Sequence, residues 1–481
     1  MNIGMIVAFV IYLSIILIIG LVATYVHKKK SSVGDLIGGT RKVNWWVTAI
    51  SAQAADMSSW LFMGLPATIY LHGMVDVWVA IGLVLGMWAT WHFLAGALRE
   101  ATAHHGANTL TAYFENKYNE PSGRISTVSA IIMAFFFTLY IAAGIKGVGY
   151  ILGTTFGLSP LWGGVLTMIV TLLYTLVGGF VAAAWVDFFQ GVFLLCAIVL
   201  TTGVGYYAVG GSAALYAAAV QKGVSFSLID GPSSLIRILL GPIAWGLGYF
   251  GMPHILAKFM GARDVEQMYK SKYIGIAWLI VALTAAIVCG FVGIAYFATP
   301  LANPEKMLFI SLTMHLFPAF IAGLILCGIL SATLSTINAQ MLVFASIVSE
   351  DLYKKIYNPK ASHAQVNHIF QLVVIMAAII GFVVAWLGTG SIFDLVEFAW
   401  GGLGASFGPL TLLSLYVTRI NRHGAFFGIL AGGATAIAWK LSGLTLAGYH
   451  VNEVLPGFLA GIITILVVSK ITSVKMYSKL M

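Results

Sequence analysis

Of 481 residues, 60% are hydrophobic and only 9% are charged, and the mean hydropathy is +0.96. An average soluble domain carries roughly 25% charged residues, so a water-soluble globule is excluded. At about 20 apolar residues per transmembrane helix, the chain reads as an all-α integral membrane protein with about thirteen spans. The excess of 25 Lys+Arg over 16 Asp+Glu does not point to nucleic acid, because basic residues collect in cytoplasmic loops. Cys196, Cys289 and Cys327 sit in apolar runs without metal-like spacing.

The first apolar run, 3–27, is too long for the core of a signal peptide and is followed by His27-Lys28-Lys29-Lys30. That order puts the N-terminus outside and the lysines in the cytoplasm. Further spans are expected near 44–70, 74–98, 125–154, 159–182, 186–209, 233–256, 273–298, 308–349, 365–388, 391–417, 424–442 and 453–470. With this orientation the C-terminus is cytoplasmic, and 20 of the 25 Lys+Arg fall in segments facing the cytoplasm. Only Lys222 and Lys306 fall in outer loops, while Lys146, Arg237 and Lys440 lie toward the outer ends of spans, within snorkelling reach of the interface. Asp394 and Glu397 open the eleventh span at its outer end, and Trp45 and Trp46 read as interface anchors. His104 and His105 are adjacent in a cytoplasmic loop and share no helix face, which argues against a metal site and a membrane enzyme.

Two spans are interrupted. Ala54–Pro66 carries a carboxylate, two hydroxyls, a glycine and a proline near mid-membrane, and five spans later Trp245–Pro253 carries three glycines and a proline. Such a pair at corresponding positions is the mark of an inverted-repeat transporter with its site at the breaks. The repeats are then spans 2–6 (44–209) and 7–11 (210–417), with an extra N-terminal helix and loop in 1–43 and two further helices and a tail in 418–481. Backbone freed by a break needs a partner in hydrocarbon, and Na⁺, a hard cation, suits carbonyl and hydroxyl oxygens. The ninth span offers hydroxyls in Ser331-Ala332-Thr333-Leu334-Ser335-Thr336-Ile337-Asn338, although hydroxyls in membrane helices more often bond their own i−4 carbonyl. Asp56 costs at least ~2.5–3.5 kcal/mol at mid-membrane, which marks it as functional unless it pairs with a base such as Arg41.

These residues resemble a known family. Arg41, Ser51–Trp60 with Gly64-Leu65-Pro66, Gly178-Gly179-Phe180, Trp185-Val186-Asp187 with Gln190, Trp245–His254, Leu334-Ser335-Thr336, Glu350–Tyr353, Ala399-Trp400-Gly401 and Phe407-Gly408-Pro409 match, in order and spacing, the sodium/solute symporter family and within it the bacterial proline carriers. The resemblance spans nearly the whole chain. It implies a LeuT-type core of two inverted five-helix repeats. It also implies a sodium site of the Ala54, Met57 and Ala332 carbonyls with the Ser335 and Thr336 hydroxyls, and coupling roles for Asp56, Arg41 and Asp187. The implied substrate pocket holds Ser58, Trp60, Gly64, Tyr140, Trp245, Tyr249 and Pro253. Ser59, Met252, Asn338 and Ala339 depart from the proline carriers' pattern of Gly, Gln, Ser and Cys.

The expected function is therefore Na⁺-coupled import of L-proline by alternating access at the bacterial inner membrane, with Na⁺ as the co-transported ion. The alternative is another small solute: another amino acid, betaine, pantothenate or a sugar. The expected partners are a small zwitterion and the lipid bilayer, with no nucleic acid and no obligate protein. An ATP-driven pump would want a phosphate-binding loop, and a fused sensor would want more than the eleven residues after the last span.

Overall fold

A chain this apolar has to satisfy its backbone hydrogen bonds within each segment, which leaves helices as the available elements. The computed structural model is built of them and describes residues 2–28, 41–229, 233–388, 390–446 and 449–477. Lys29 and Lys30 of the expected cytoplasmic cluster, the end of the tail, and the side chain of Arg237 lie outside the described residues.

The chain opens with α1 (Ile3–Lys28), α2 (Trp45–Met57) and α3 (Trp60–His72). Then come α4 (Val77–Ala89), which runs through a π-helical turn into α5 (Gly96–His104), a short α6 (Leu110–Lys117), α7 (Arg124–Phe156) and α8 (Pro160–Ala208). The second half holds α9 (Gly211–Gln221), α10 (Ser233–Gly248), α11 (Pro253–Met260), α12 (Val265–Tyr296), α13 (Pro304–Leu316) and α14 (Ala319–Ser346). It closes with α15 (His363–Leu387), α16 (Ile392–Tyr416), α17 (Arg422–Ser442) and α18 (Val454–Tyr477). Between α17 and α18 a small antiparallel pair, β1 (Thr445–Leu446) and β2 (Tyr449–His450), sets Thr445 opposite His450.

Among the described residues, ten helical stretches are long and apolar enough to cross a membrane, fewer than the thirteen expected spans. The difference falls on α2–α3 and α10–α11, where the helix is broken, and on the first part of the continuous α8, of which Pro160–Leu173 is the apolar stretch among the described residues. Three boundaries differ from expectation. The segment 183–185, expected as a cytoplasmic connection, is helical within α8. The ninth span, expected at 308–349, is split at Phe317-Pro318: Phe317 is extended (φ −126°, ψ 149°), as the ring of a following proline demands. Lys258, expected in a cytoplasmic loop, lies in α11 and is buried.

Helix α14 is the centre of the assembly and α1 its periphery. In their apolar windows, 83% of residues of the α14 stretch are buried within protein against 28% for α1. The polar groups of α14 therefore face other helices, α8, α1, α7 and α2 among them.

Candidate functional site

The first break lies where α2 ends. Ser58 has φ +49° and ψ −170°, a conformation rare for any residue but glycine, and Ser59 starts α3. The last turn of α2, Ala54 to Met57, thereby loses its continuing helical donors. Gly64 and Pro66, expected to take part in the break, lie inside the unbroken α3. Gly64 instead makes room for a ring, because a Cβ there would come within 2.6 Å of Trp60 Cδ1.

Helix α14 reaches into this gap. Ser335 Oγ donates to Ala54 O at 2.7 Å, with Ser331 O at 2.9 Å and Ala332 O at 3.0 Å also within its reach. Thr336 Oγ1 donates to Ala332 O at 3.0 Å and accepts from the Ser58 amide at 3.1 Å. Of the five residues expected to supply oxygens, Ala54, Ala332, Ser335 and Thr336 are joined in one hydrogen-bonded patch, and Met57 ends α2 one residue before Ser58. A single Ser335 proton faces three carbonyls. A pocket rich in oxygen acceptors and short of donors is what a hard cation completes.

Beside it, Asp56 is 4% exposed and accepts from the Tyr249 hydroxyl at 2.6 Å, while the Tyr140 hydroxyl approaches Asp56 O at 3.5 Å. Arg41 donates instead to Thr102 O (3.0 Å) and Ala107 O (3.2 Å) near α5, so the Asp56–Arg41 pairing weighed from the sequence is absent among the described residues. Asp187 forms an ion pair with Lys258 at 2.6 Å, both side chains shut off from solvent, and the Lys258 ammonium lies 5.4 Å from the Phe180 ring centre. The three charged residues linked by resemblance to coupling thus occupy three separate places.

The second break is built differently. After α10 ends at Gly248, a 3₁₀ turn spans Tyr249–Gly251, Met252 is extended, and Pro253 occupies the first turn of α11, where its missing N–H is not needed. Trp245 packs against Trp60 (ring centres 5.6 Å apart), Phe393 (5.8 Å) and Trp400 (6.1 Å). Trp400 Nε1 donates to Trp245 O at 3.1 Å, and the Tyr249 ring meets Trp400 edge-on at 4.8 Å.

Two cavities approach this centre. The one on the side expected to face outward has about 370 Å³ of room, with Trp60, Trp245 and Phe393 in its wall together with His72, Asp76, Asp394, Glu397 and Lys440. The other, on the side expected to face inward, has about 20 Å³ and is lined by Pro253, His254, Lys258, Thr109, Ala339 and Ser346 among others. The first cavity is the roomier of the two. Of the residues expected to hold substrate, Trp60 and Trp245 line the wide cavity, Ser58, Tyr140 and Tyr249 gather at Asp56, and Gly64 backs Trp60. Pro253 belongs to the narrow cavity and is not brought to the others. Phe393, Trp400 and Lys258 were not singled out as site residues from the sequence. Their partners are distant in the chain, and only the Trp400 motif and the mid-helix aromatics gave a signal.

A helix interrupted beside hydroxyls of a central helix, with an aromatic-walled cavity above, defines a class: ion-coupled carriers of the LeuT fold. A solved Na⁺-coupled sialic acid symporter superimposes with a TM-score of 0.79 at 19% identity, over 98% of both chains. MhsT in complex with L-phenylalanine does so with 0.56 at 14% identity, over 88% of this chain and 97% of that one. At the level of sequence, the model of the sodium:solute symporter family matches residues 36–432, and the chain belongs to that family. It is 37% identical to the osmoregulated proline transporter of Bacillus subtilis (98% of this chain, 96% of the relative) and 37% identical to the sodium/proline symporter of Escherichia coli (97% and 92%). It is accordingly a multi-pass membrane transporter with Na⁺ as its co-transported ion, and not an enzyme.

Proposed function

We propose that the protein imports L-proline together with Na⁺ into the cell across the bacterial inner membrane, by alternating access. The observation that carries the reading is the 2.7 Å contact from Ser335 Oγ to Ala54 O across the first break. Turning the Ser335 proton wholly onto Ser331 O leaves both the Ser335 oxygen and Ala54 O to an entering cation. The ion, held by the carbonyls of Ala54, Met57 and Ala332 and the hydroxyls of Ser335 and Thr336, ties α2 to α14 and orders the break. Asp56, kept in place by Tyr249, supplies compensating negative charge beside the ion. The pyrrolidine ring lies in the wide cavity against the Trp60 and Trp245 faces that line it, which favour its ammonium. Ordering α2 raises substrate affinity, and substrate tightens Na⁺ by the same factor. The Lys258–Asp187 pair keeps the inner side closed, and Arg41 anchors the chain before α2. In this reading residues 44–209 and 210–417 are the two inverted repeats, flanked by 1–43 and 418–481.

The proline relatives and the match of Asp56 and Trp60 to their motif support proline. Ser59, Met252, Asn338 and Ala339 favour a second reading, a different small solute on the same sodium machinery. Uptake of radiolabelled proline into proteoliposomes should occur only down an inward Na⁺ gradient. A thermal-shift series of amino acids, betaine, pantothenate and sugars, run in Na⁺ and in K⁺, should single out proline in Na⁺. Na⁺-dependent stabilisation by another solute alone would overturn the substrate and leave the sodium coupling standing.

A further inference from the structure

Helix α1 lies outside both repeats and mostly faces lipid, yet among the described residues it carries one fully buried hydroxyl. Tyr12 is 1% exposed, and its ring packs 4.9 Å from Phe193 and 6.4 Å from Phe189 of α8. Its hydroxyl lies 2.5 Å from Ser331 Oγ. Ser331 Oγ also reaches Cys327 O at 2.9 Å, and the Tyr12 hydroxyl has Gln190 of α8 as a further side-chain partner. Ser331 stands one turn before Ser335 on the same face of α14, and Ser335 Oγ bonds back to Ser331 O at 2.9 Å as well as forward to Ala54 O at 2.7 Å. A polar line thus runs from α1 through α14 to the end of α2. Tyr12 is thereby held at α14 through Ser331 and at α8 through Gln190, and only the first of these contacts leads to Ser335.

We propose that Tyr12 is a positioning residue for the sodium site: bonded to Ser331, it clamps α1 to α14 and fixes the height and rotation at which the Ser335 oxygen meets α2. This rests on the reading of Ser335 and Ala54 as sodium ligands. The clamp makes α1 a strut that holds the α14 half of the site still while the α2 half moves. Loss of the bond lets the Ser331–Ser335 face turn, and the site pays in ion affinity while the substrate pocket, which α1 does not touch, keeps its own.

The test is transport by the full chain in proteoliposomes, with Na⁺ and proline each titrated at saturation of the other. Tyr12→Phe should raise the Na⁺ concentration for half-maximal uptake about three- to tenfold, the span expected of one interhelical hydrogen bond in a membrane. Half-saturation by proline in saturating Na⁺ and the maximal rate should stay within about twofold. Ser331→Ala should give the same split, and the double variant should be no worse than Ser331→Ala alone. A packing role would instead lower thermal stability without separating Na⁺ from proline, and that result overturns the proposal, as does additivity in the double variant. If Tyr12→Phe fails to insert, the Ser331→Ala split decides. Ser335→Ala is the reference: if it leaves Na⁺ dependence intact, the ligand reading itself fails. If it shifts Na⁺ while Tyr12→Phe and Ser331→Ala do not, only the role of Tyr12 is lost.

Discussion

The two helix breaks share a sequence signature and are held open by opposite means. At the first, between α2 and α3, a strained Ser58 exposes main-chain oxygens, and hydroxyls from α14 meet them. At the second, between α10 and α11, every bend has negative φ, and the turn is docked by close backbone contact. A Cβ on Gly251 would fall 2.6 Å from Gly408 N and 2.7 Å from Gly404 O of α16, and one on Gly248 would fall 1.9 Å from Trp400 Nε1. Polar groups that water or an ion can replace make a break responsive; backbone packed on backbone makes it a fixed hinge. The difference supports the proposed reading, in which the ion enters at the first break and the second contributes Trp245 and Tyr249 to the substrate pocket.

The sharpest way to break that contrast is Asp56→Asn, which should lower Na⁺-coupled uptake by a factor on the order of 100 or more while the protein still inserts and folds, since it removes the one carboxylate at the polar break. Near-normal uptake, measured against expression by immunoblot, would sink the assignment. Next in size, Ser335→Ala with Thr336→Ala should raise the Na⁺ concentration for half-maximal transport by about tenfold or more, each tenfold being about 1.4 kcal/mol. If this variant keeps its Na⁺ dependence and loses only melting temperature, the hydroxyls are helix-bonding groups.

The second break should answer differently. Gly251→Ala forces a methyl against α16 backbone and should cost about 1–3 kcal/mol of stability, read as a lowered melting temperature and weakened proline affinity, with Na⁺ binding in the absence of substrate unchanged. A Na⁺-specific defect in that variant would erase the division of labour. The smallest effect is expected of Gly64→Ala, where only the Trp60 side chain obstructs the methyl and its ring has an open cavity to move into. Proline half-saturation should rise about two- to fivefold, roughly 0.4–1 kcal/mol, and a twofold or greater change in Na⁺ affinity measured without proline would count against the contrast.

What the residues disclosed in advance follows the same physics. Local chemistry was readable: a carboxylate at mid-membrane, hydroxyls clustered at 331–336, and a Gly-rich stretch before Pro253 each located a break or its filler. The exact point of the first break was not. Glycine and proline at 64 and 66 pointed to the wrong turn, because a proline in a membrane helix forfeits one bond that neighbours can make good, whereas the amide of Ser58 finds its partner in Thr336, 278 positions away. The split at Phe317-Pro318 was available from the proline and masked by continuous hydropathy. Lys258 read as a loop base because its partner, Asp187, is 71 positions distant. Pro253 shares a motif with Tyr249, yet Tyr249 turns to Asp56 while Pro253, beyond the 3₁₀ turn, lines the narrow cavity.

The Lys258–Asp187 pair has a consequence for energetics at the whole-membrane scale. With opposite charges held 2.6 Å apart, the pair is nearly neutral, so in its proposed role at the inner side it moves almost no charge through the field. Proline is a neutral zwitterion as well. The net charge carried per transport cycle is then that of the sodium ion, adding about 2.3 kcal/mol per 100 mV for each ion carried inward. Voltage drives accumulation through the cargo and leaves the gate electrically silent.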